Sequence, residues 1–504
     1  MCTINKKSTP PRIILFYLLI FGFFMIWFNQ IHPLTVYDAD DWAYISHPRR
    51  AVPIWWSYWN PSRIFPEIFM PLCSSLAAFL VYPLTGNYLR AMVLTHGFVV
   101  SLFLTIYIWS ITRMMRRLFK LSTISTMLCT VLFLLAHFLI LRTNDTGNTY
   151  LFNCWDLTCY YYYMIPAAVN ASLVMWMIGN PRFSTFPFSQ NPGKMGLFVL
   201  LLYLAVFSNL PDSGIFAVYA GCIVLIGIFS LLRRKTDWKT FLQKYGFFLT
   251  ILLVWLLSAI FELNGGRAHS VTGPKVDFGL RLRTAAYGIF TLVFRCNWVL
   301  MAVSIVTVAA ALALLLRSHG AAPEDRRFAA LLPVCLIAIA AMAVYTLLLC
   351  AAVDSSYANR SEYLFGLLFF ALLLVMLSLG YLLQKLPRLL YVLPLAVCVL
   401  FCECNTWGVT YLESNYSNLD PAICDEITGD LIDEILRADQ EGLGEIALEV
   451  PLCQGGGNWP LCPEFLPERM VNSLLEHGVL RRKINVTMVA SMEANWRYGL
   501  PILD

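Results

Sequence analysis

Residues 13–67 read IILFYLLIFGFFMIWFNQIHPLTVYDADDWAYISHPRRAVPIWWSYWNPSRIFPE, and the fold follows from how that text divides into an apolar run and a charged one. The run from Ile13 to Phe28 comes after Lys6, Lys7 and Arg12 and reads as a membrane span. Asn29-Gln30 and His32-Pro33 follow it with no small-residue cleavage site. It is therefore expected to be an uncleaved first span with its N-terminus in the cytoplasm. The chain then packs Asp38, Asp40 and Asp41 into four positions, and Trp55, Trp56, Tyr58, Trp59 and Arg63 come soon after. Carboxylates beside an apolar–water boundary are costly to keep, which marks the loop 31–67 as the candidate chemical centre.

The rest of the chain reads as scaffold. Of 504 residues, 59% are hydrophobic and 13% charged, with a mean hydropathy of +0.66. Soluble chains carry about a quarter charged residues, so a soluble globular protein is excluded. A net charge of +5, gathered in short loops, points to membrane topology and not to nucleic acid. Further apolar runs lie at about 91–112, 121–141, 161–178, 195–210, 214–232, 244–262, 299–316, 328–351, 363–383 and 389–404. With the first, they predict an all-α polytopic membrane protein of about 11 transmembrane helices. The shorter run Ile68 to Tyr82 holds Pro71, Ser74 and Ser75. Were it to cross, Arg113, Arg116, Arg117 and Lys120 would fall outside, so an interfacial or re-entrant helix is expected. The basic loops then share the cytoplasmic side of the cell (inner) membrane: Arg113 to Lys120, Arg182 with Lys194, Arg233 to Lys235, Arg317 with Arg326-Arg327, and Lys385 with Arg388.

The opposite face collects the polar variety: the acidic loop, Arg142 to Tyr160, Asn209 to Asp212, Glu262 to Asn297 and Asp354 to Glu362. Residues 1–404 thus form the transmembrane domain. Residues 405–504 turn polar and predict a small α+β extracytoplasmic domain. An amphipathic stretch (Ile423 to Arg437), strands at Ile446–Val450 and Asn485–Ala490, and a helix near Arg469 to Leu480 make it up. Cys424, Cys453 and Cys462 allow one disulfide there and leave a thiol over.

Three crowded carboxylates repel one another, which raises at least one pKa and suits a general base. The competing readings are a divalent cation site using Asp38 and Asp40, and a solvated turn at a helix end. The tryptophans read as an interfacial aromatic belt and, compatibly with it, as a sugar-stacking platform or the wall of a lipid groove, and Tyr160 to Tyr163 invite the same readings. Arg63, Arg267 and Arg360 are candidates to clamp a phosphate, against local ion pairs such as Arg360 with Glu362 or Asp354. Asp212 is costly between two spans unless it is functional or helps to cap the next helix. His269 stands alone.

A first span, a loop with Asp40-Asp41-Trp42, and the segment Trp59-Asn60-Pro61-Ser62-Arg63 together resemble the GT-C superfamily of membrane glycosyltransferases. The nearest flavour is the bacterial O-antigen-modifying glucosyltransferases. The chain has no WWDYG-type oligosaccharyltransferase motif, and Asp38 adds a DxD-like spacing that departs from the pattern. The resemblance implies a hexosyltransferase that takes sugar from a polyprenyl-phosphate donor to a glycan or lipid-linked acceptor. It implies Asp40 or Asp41 as base, with Trp59, Asn60, Tyr160, Asp212 and the arginines around the substrates. No cofactor follows from it beyond the cation option (Mg or Mn). A lipid-linked glycan flippase, or an O-antigen polymerase or ligase, is the alternative. Spans nearly free of mid-depth charge favour one-sided chemistry over a transport path.

Overall fold

The computed structural model describes residues 11–36, 38–47, 61–141, 150–154, 156–180, 192–264, 277–318, 322–406, 421–452 and 464–500. In chain order the helices are α1 (Pro11–Ile31), α2 (Ala39–Tyr44), α3 (Phe65–Thr85), α4 (Tyr88–Phe119), α5 (Thr123–Leu139), α6 (Leu157–Ile178), α7 (Pro192–Val206) and α8 (Leu210–Leu232). They continue as α9 (Trp238–Leu263), α10 (Phe278–Arg295), α11 (Trp298–Ser318), α12 (Pro323–Ala352), α13 (Ser361–Lys385) and α14 (Leu393–Thr406). The tail follows as α15 (Pro421–Glu441), β1 (Glu445–Pro451), α16 (Leu466–Glu476), β2 (Asn485–Ser491) and α17 (Met492–Arg497).

Among the described residues, nine helices are long and apolar enough to cross a membrane: α1, α3, α4, α6, α8, α9, α11, α12 and α13. The sequence led us to expect about eleven. The difference has two sources. The runs at 121–141, 195–210 and 389–404 make shorter apolar helices, Thr123–Leu139, Met195–Val206 and Pro387–Cys402. The run at 68–82 extends into the 21-residue α3. Its prolines do not break it, because Pro66, Pro71 and Pro83 each sit at the start of a segment where wide π-type turns (Phe65–Phe69, Ala77–Val81) meet ordinary helix. Phe65 and Phe69 meet Phe103, and Tyr82 meets Tyr88, so α3 lies along the first half of α4 only. Its length and hydropathy are those of a span.

Helix starts follow from short polar caps that satisfy the free N–H groups of the first turn. Asn87 accepts from Arg90 N at 2.8 Å to open α4, Ser122 from Ser125 N to open α5, and Asn209 from Asp212 N to open α8. The core is organised around α6 and α13, each with 83% of its apolar stretch enclosed, whereas α11 is only 11% enclosed and lies at the periphery. Close approach needs small residues. A Cβ on Gly214 of α8 would collide with the ring of Tyr345 of α12, whose hydroxyl donates to Leu210 O at 2.8 Å. Gly86, at a φ of 68°, makes the left-handed turn between α3 and α4.

A helix missing from the sequence reading is α10, inside the stretch expected as a loop from Glu262 to Asn297. Arg281 and Arg283 within it read as loop residues, but its buried side (Ala285, Leu292) packs on α12 and on the turn Ser355–Asn359. The tail has the expected α+β elements, with β1 and β2 parallel in the register Glu445↔Asn485 to Pro451↔Ser491. It is not held apart from the bundle. Thr35 donates to Asp425 at 2.9 Å, Ser46 and Ser473 share a hydrogen bond of 2.8 Å, and Tyr88 OH lies 2.6 Å from His477 Nδ1. Burial pushes His477 down to about 4, so it stays neutral in that contact.

Candidate functional site

The acidic loop forms a short helix with its own cap. Asp38 precedes α2 and accepts from Asp40 N at 2.7 Å, and Asp41 reaches back to Asp38 N at 3.4 Å. This capping pulls the Asp41 side chain inward, where it is fully buried. There Thr158, in the first turn of α6, donates both its backbone N–H and its hydroxyl to Asp41 Oδ1, each at 2.7 Å. Trp42 beside it is buried too and stacks on Tyr88, 6.3 Å between ring centres.

A third carboxylate joins them from a distant stretch. Asp156 caps α6, accepting from Cys159 N at 2.5 Å and from its thiol at 3.5 Å. Burial, then the neighbouring charge of Asp38, pushes Asp156 up to about 7. Burial also raises Asp38 to about 6, against the hydrogen bond from Asp40 N. Asp41 is held well above the usual carboxylate range by burial and by Asp156 and Asp38. Such a cluster cannot hold three negative charges near neutral pH, and it retains protons that ordinary carboxylates lose.

One turn along α6 from Thr158, Tyr162 and Tyr163 line a cavity of about 330 Å³. Arg63, Glu262, Asn209, Tyr357 and Tyr363 complete its polar lining, and Leu210, Leu263 and Val353 are part of its apolar lining. The Tyr44 ring, from α2, packs edge-on against Tyr162 at 5.8 Å and joins the acidic helix to this wall. Arg63 donates through Nε to Glu262 Oε1 and Oε2 at 3.0 and 2.8 Å and through Nη2 to Oε2, and its Nη1 lies 3.9 Å from Glu67. Its backbone has a φ of 59°, a left-handed conformation that non-glycine residues rarely keep without a compensating role. Arg360 makes the second ion pair, to Glu362 at 2.5 Å, and its guanidinium lies 5.2 Å from the Tyr357 ring centre and 5.8 Å from that of Tyr163.

The sequence-selected residues therefore divide. Asp38, Asp41 and Arg360 gather near α6, and Arg63 faces the cavity next to them. Asp40 points the other way, half-exposed, and pairs with Arg469 of α16 at 3.0 Å. Tyr160, expected at a substrate surface, is buried against Phe28 at 5.5 Å, and its successors Tyr162 and Tyr163 take the lining positions. Asp212 is buried in the first turn of α8 and accepts from Asn209 Nδ2 at 2.8 Å; Asn209, not Asp212, caps that helix and lines the cavity. Trp55, Trp56, Tyr58, Trp59, Asn60, Arg267 and His269 lie outside the described residues, as do Cys453 and Cys462, while Cys424 is buried in the tail. Among the described residues no group of three or more His, Cys, Asp or Glu is arranged to hold a metal ion, and Asp38 and Asp40 are engaged in the cap and the ion pair.

Sequence reasoning missed Asp156 and Glu262. Asp156 carried one legible signal, a position two residues before Thr158 where an Asp opens an apolar run and so caps its helix. Glu262, at the end of α9, reads in the sequence only as the start of the loop that follows that helix. No protein-family model matches the chain, nor does any curated protein or solved structure.

Proposed function

We propose that this chain is a membrane glycosyltransferase of the GT-C type, moving a hexose from a polyprenyl-phosphate donor to a hydroxyl of a glycan or lipid-linked acceptor. The observation that carries the reading is a set of proton-retaining carboxylates (Asp38, Asp41, Asp156) at the first turn of α6, whose next turn supplies Tyr162 and Tyr163 to the wall of a cavity lined by Arg63. Acid–base chemistry needs a carboxylate whose pKa lies near the working pH, and Asp156 at about 7 meets that need best. In the reaction Asp156 takes the acceptor hydroxyl proton and the acceptor oxygen attacks the anomeric carbon. The bond from that carbon to the phosphate oxygen breaks, with its electron pair leaving on the phosphate. Arg63 stabilises that phosphate, and single-step displacement inverts the anomeric centre. Asp38 acts on Asp156 through its charge, and Asp41, fixed by Thr158, keeps its proton beside them. The tyrosines offer flat apolar faces to a sugar ring.

The test is transfer of labelled sugar from a polyprenyl-phosphate donor in proteoliposomes. Asp156→Asn is expected to lose about 100-fold or more in turnover, and Asp40→Asn to stay within about threefold. Equal transfer by the wild type and Asp156→Asn removes the cluster from the chemistry. Absence of transfer by the wild type across several donors, with lipid-linked glycan crossing the bilayer instead, supports the flippase reading.

A further inference from the structure

We propose that Glu262 occupies the anion site of Arg63 in the resting protein, so that an anionic ligand enters the cavity by exchanging with this carboxylate. The inference rests on the reading of Arg63 as a phosphate-binding group. Glu262 engages the guanidinium with both oxygens, the fork geometry that arginine also offers to phosphate. The pair lines the cavity, so a ligand reaches it without dismantling the core.

Both partners are placed for exchange. The left-handed backbone of Arg63 is pinned on either side, by Ile64 N donating to Phe207 O at 3.4 Å and by Tyr203 OH donating to Pro61 O at 3.1 Å. The guanidinium therefore stays aimed at the cavity whichever anion it holds. Glu262 lies in the last turn of α9, the helix end whose exposed carbonyls disfavour a carboxylate. It is held there by Arg63 and not by its own helix. The other pair shows the contrast. Both carboxylates are buried, but Glu362 sits in the first turn of α13, where the helix favours a negative charge, and faces an Arg360 stacked near two tyrosines. Arg360–Glu362 is a closed structural pair, and Arg63–Glu262 is the exchangeable one.

The experiment measures binding of a long-chain polyprenyl phosphate to the full chain in nanodiscs. Glu262→Gln keeps the shape and removes the competing charge, and it is expected to bind about tenfold more tightly than the wild type. Arg63→Ala is expected to abolish binding. Carbodiimide labelling of wild-type Glu262, read by mass spectrometry, is expected to rise when the prenyl phosphate is bound, and this readout requires no variant to fold. Unchanged or weaker binding by Glu262→Gln, or unchanged labelling, overturns the exchange while loss of binding in Arg63→Ala leaves the phosphate role of Arg63 standing. Full binding by Arg63→Ala overturns both.

Discussion

Two buried aspartates at opposite ends of the bundle share one local structure and differ in everything around it. Asp41 and Asp325 both lie in the first turn of a helix, with the carboxylate reaching back to the cap residue's N–H, at 3.4 Å for Asp38 N and 3.2 Å for Ala322 N. Both are almost completely buried. Asp325 then meets Lys385 at 2.8 Å and the Tyr381 hydroxyl at 2.7 Å, and Lys385 also holds Glu324 at 3.2 Å. Asp41 faces Thr158 and two further carboxylates. The 25-residue α13, with Glu362 in its first turn and Lys385 at its end, separates the two settings by roughly 37 Å at 1.5 Å per residue. A carboxylate matched with a cation stabilises the fold. One set among its own kind keeps a proton and becomes available for chemistry.

The strongest way to break this comparison is to neutralise each aspartate in turn. Asp41→Asn is expected to cost about tenfold in sugar transfer, less than Asp156→Asn because Asp41 does not take the proton, while shifting stability by no more than about 1 kcal/mol, read by turnover in proteoliposomes and thermal unfolding in detergent. Asp325→Ala is expected to do the reverse, losing about 2–3 kcal/mol because a cap is removed and Tyr381 and Lys385 lose their partner, with turnover per folded molecule unchanged. If both variants behave alike, the two ends do not differ in role.

A pH series sharpens the contrast. Asp38 and Asp156 have folded pKa values of about 6 and 7, above an unfolded value of about 3.9, so the folded state binds protons more tightly. Their stabilising effect is complete below about pH 4 and is lost as pH rises through about 6 to 7. Turnover should climb over that same upper window as the base ionises. Asp38→Asn removes the charge that repels Asp156, so its unfolding temperature should fall less between pH 4 and pH 8 than that of the wild type. An identical decline in both would sink the idea that Asp38 raises Asp156. The smallest effect belongs to the tail. Arg469→Ala breaks a half-exposed pair with Asp40 and should cost less than about 1 kcal/mol. Ser473→Ala should cost more, because Ser473 donates to Trp42 O at 2.5 Å and bonds Ser46 in a buried setting.

Much of the bundle was legible residue by residue. Apolar runs such as Leu210–Leu232 and Ser361–Lys385 announce themselves by length, and Asn87 and Ser122 mark where their helices begin. The segment from Ile68 to Tyr82 read too short because its prolines mimic a break, and wide turns that accommodate proline leave no mark in composition. α10 was hidden by Arg281 and Arg283, which an amphipathic helix tolerates on its open side. In the candidate site, the crowding of Asp38, Asp40 and Asp41 was visible. Which of the three turns inward was not, because that depends on the Asp38 cap and on Thr158, 117 positions away in sequence from Asp41.

By itself the sequence determined the membrane class, the helical architecture and the concentration of acidic and aromatic residues in one loop. These depend on properties summed over contiguous residues: apolar length, local charge and capping preference. Only the tertiary structure decided that Asp156 joins Asp38 and Asp41, that Glu262 meets Arg63, that Tyr162 replaces Tyr160 at the cavity, and that the tail clasps α2. Each of these pairs residues far apart in the chain. Their energies come from desolvation and short-range Coulomb interactions, which exist only after helices from distant parts of the sequence have packed.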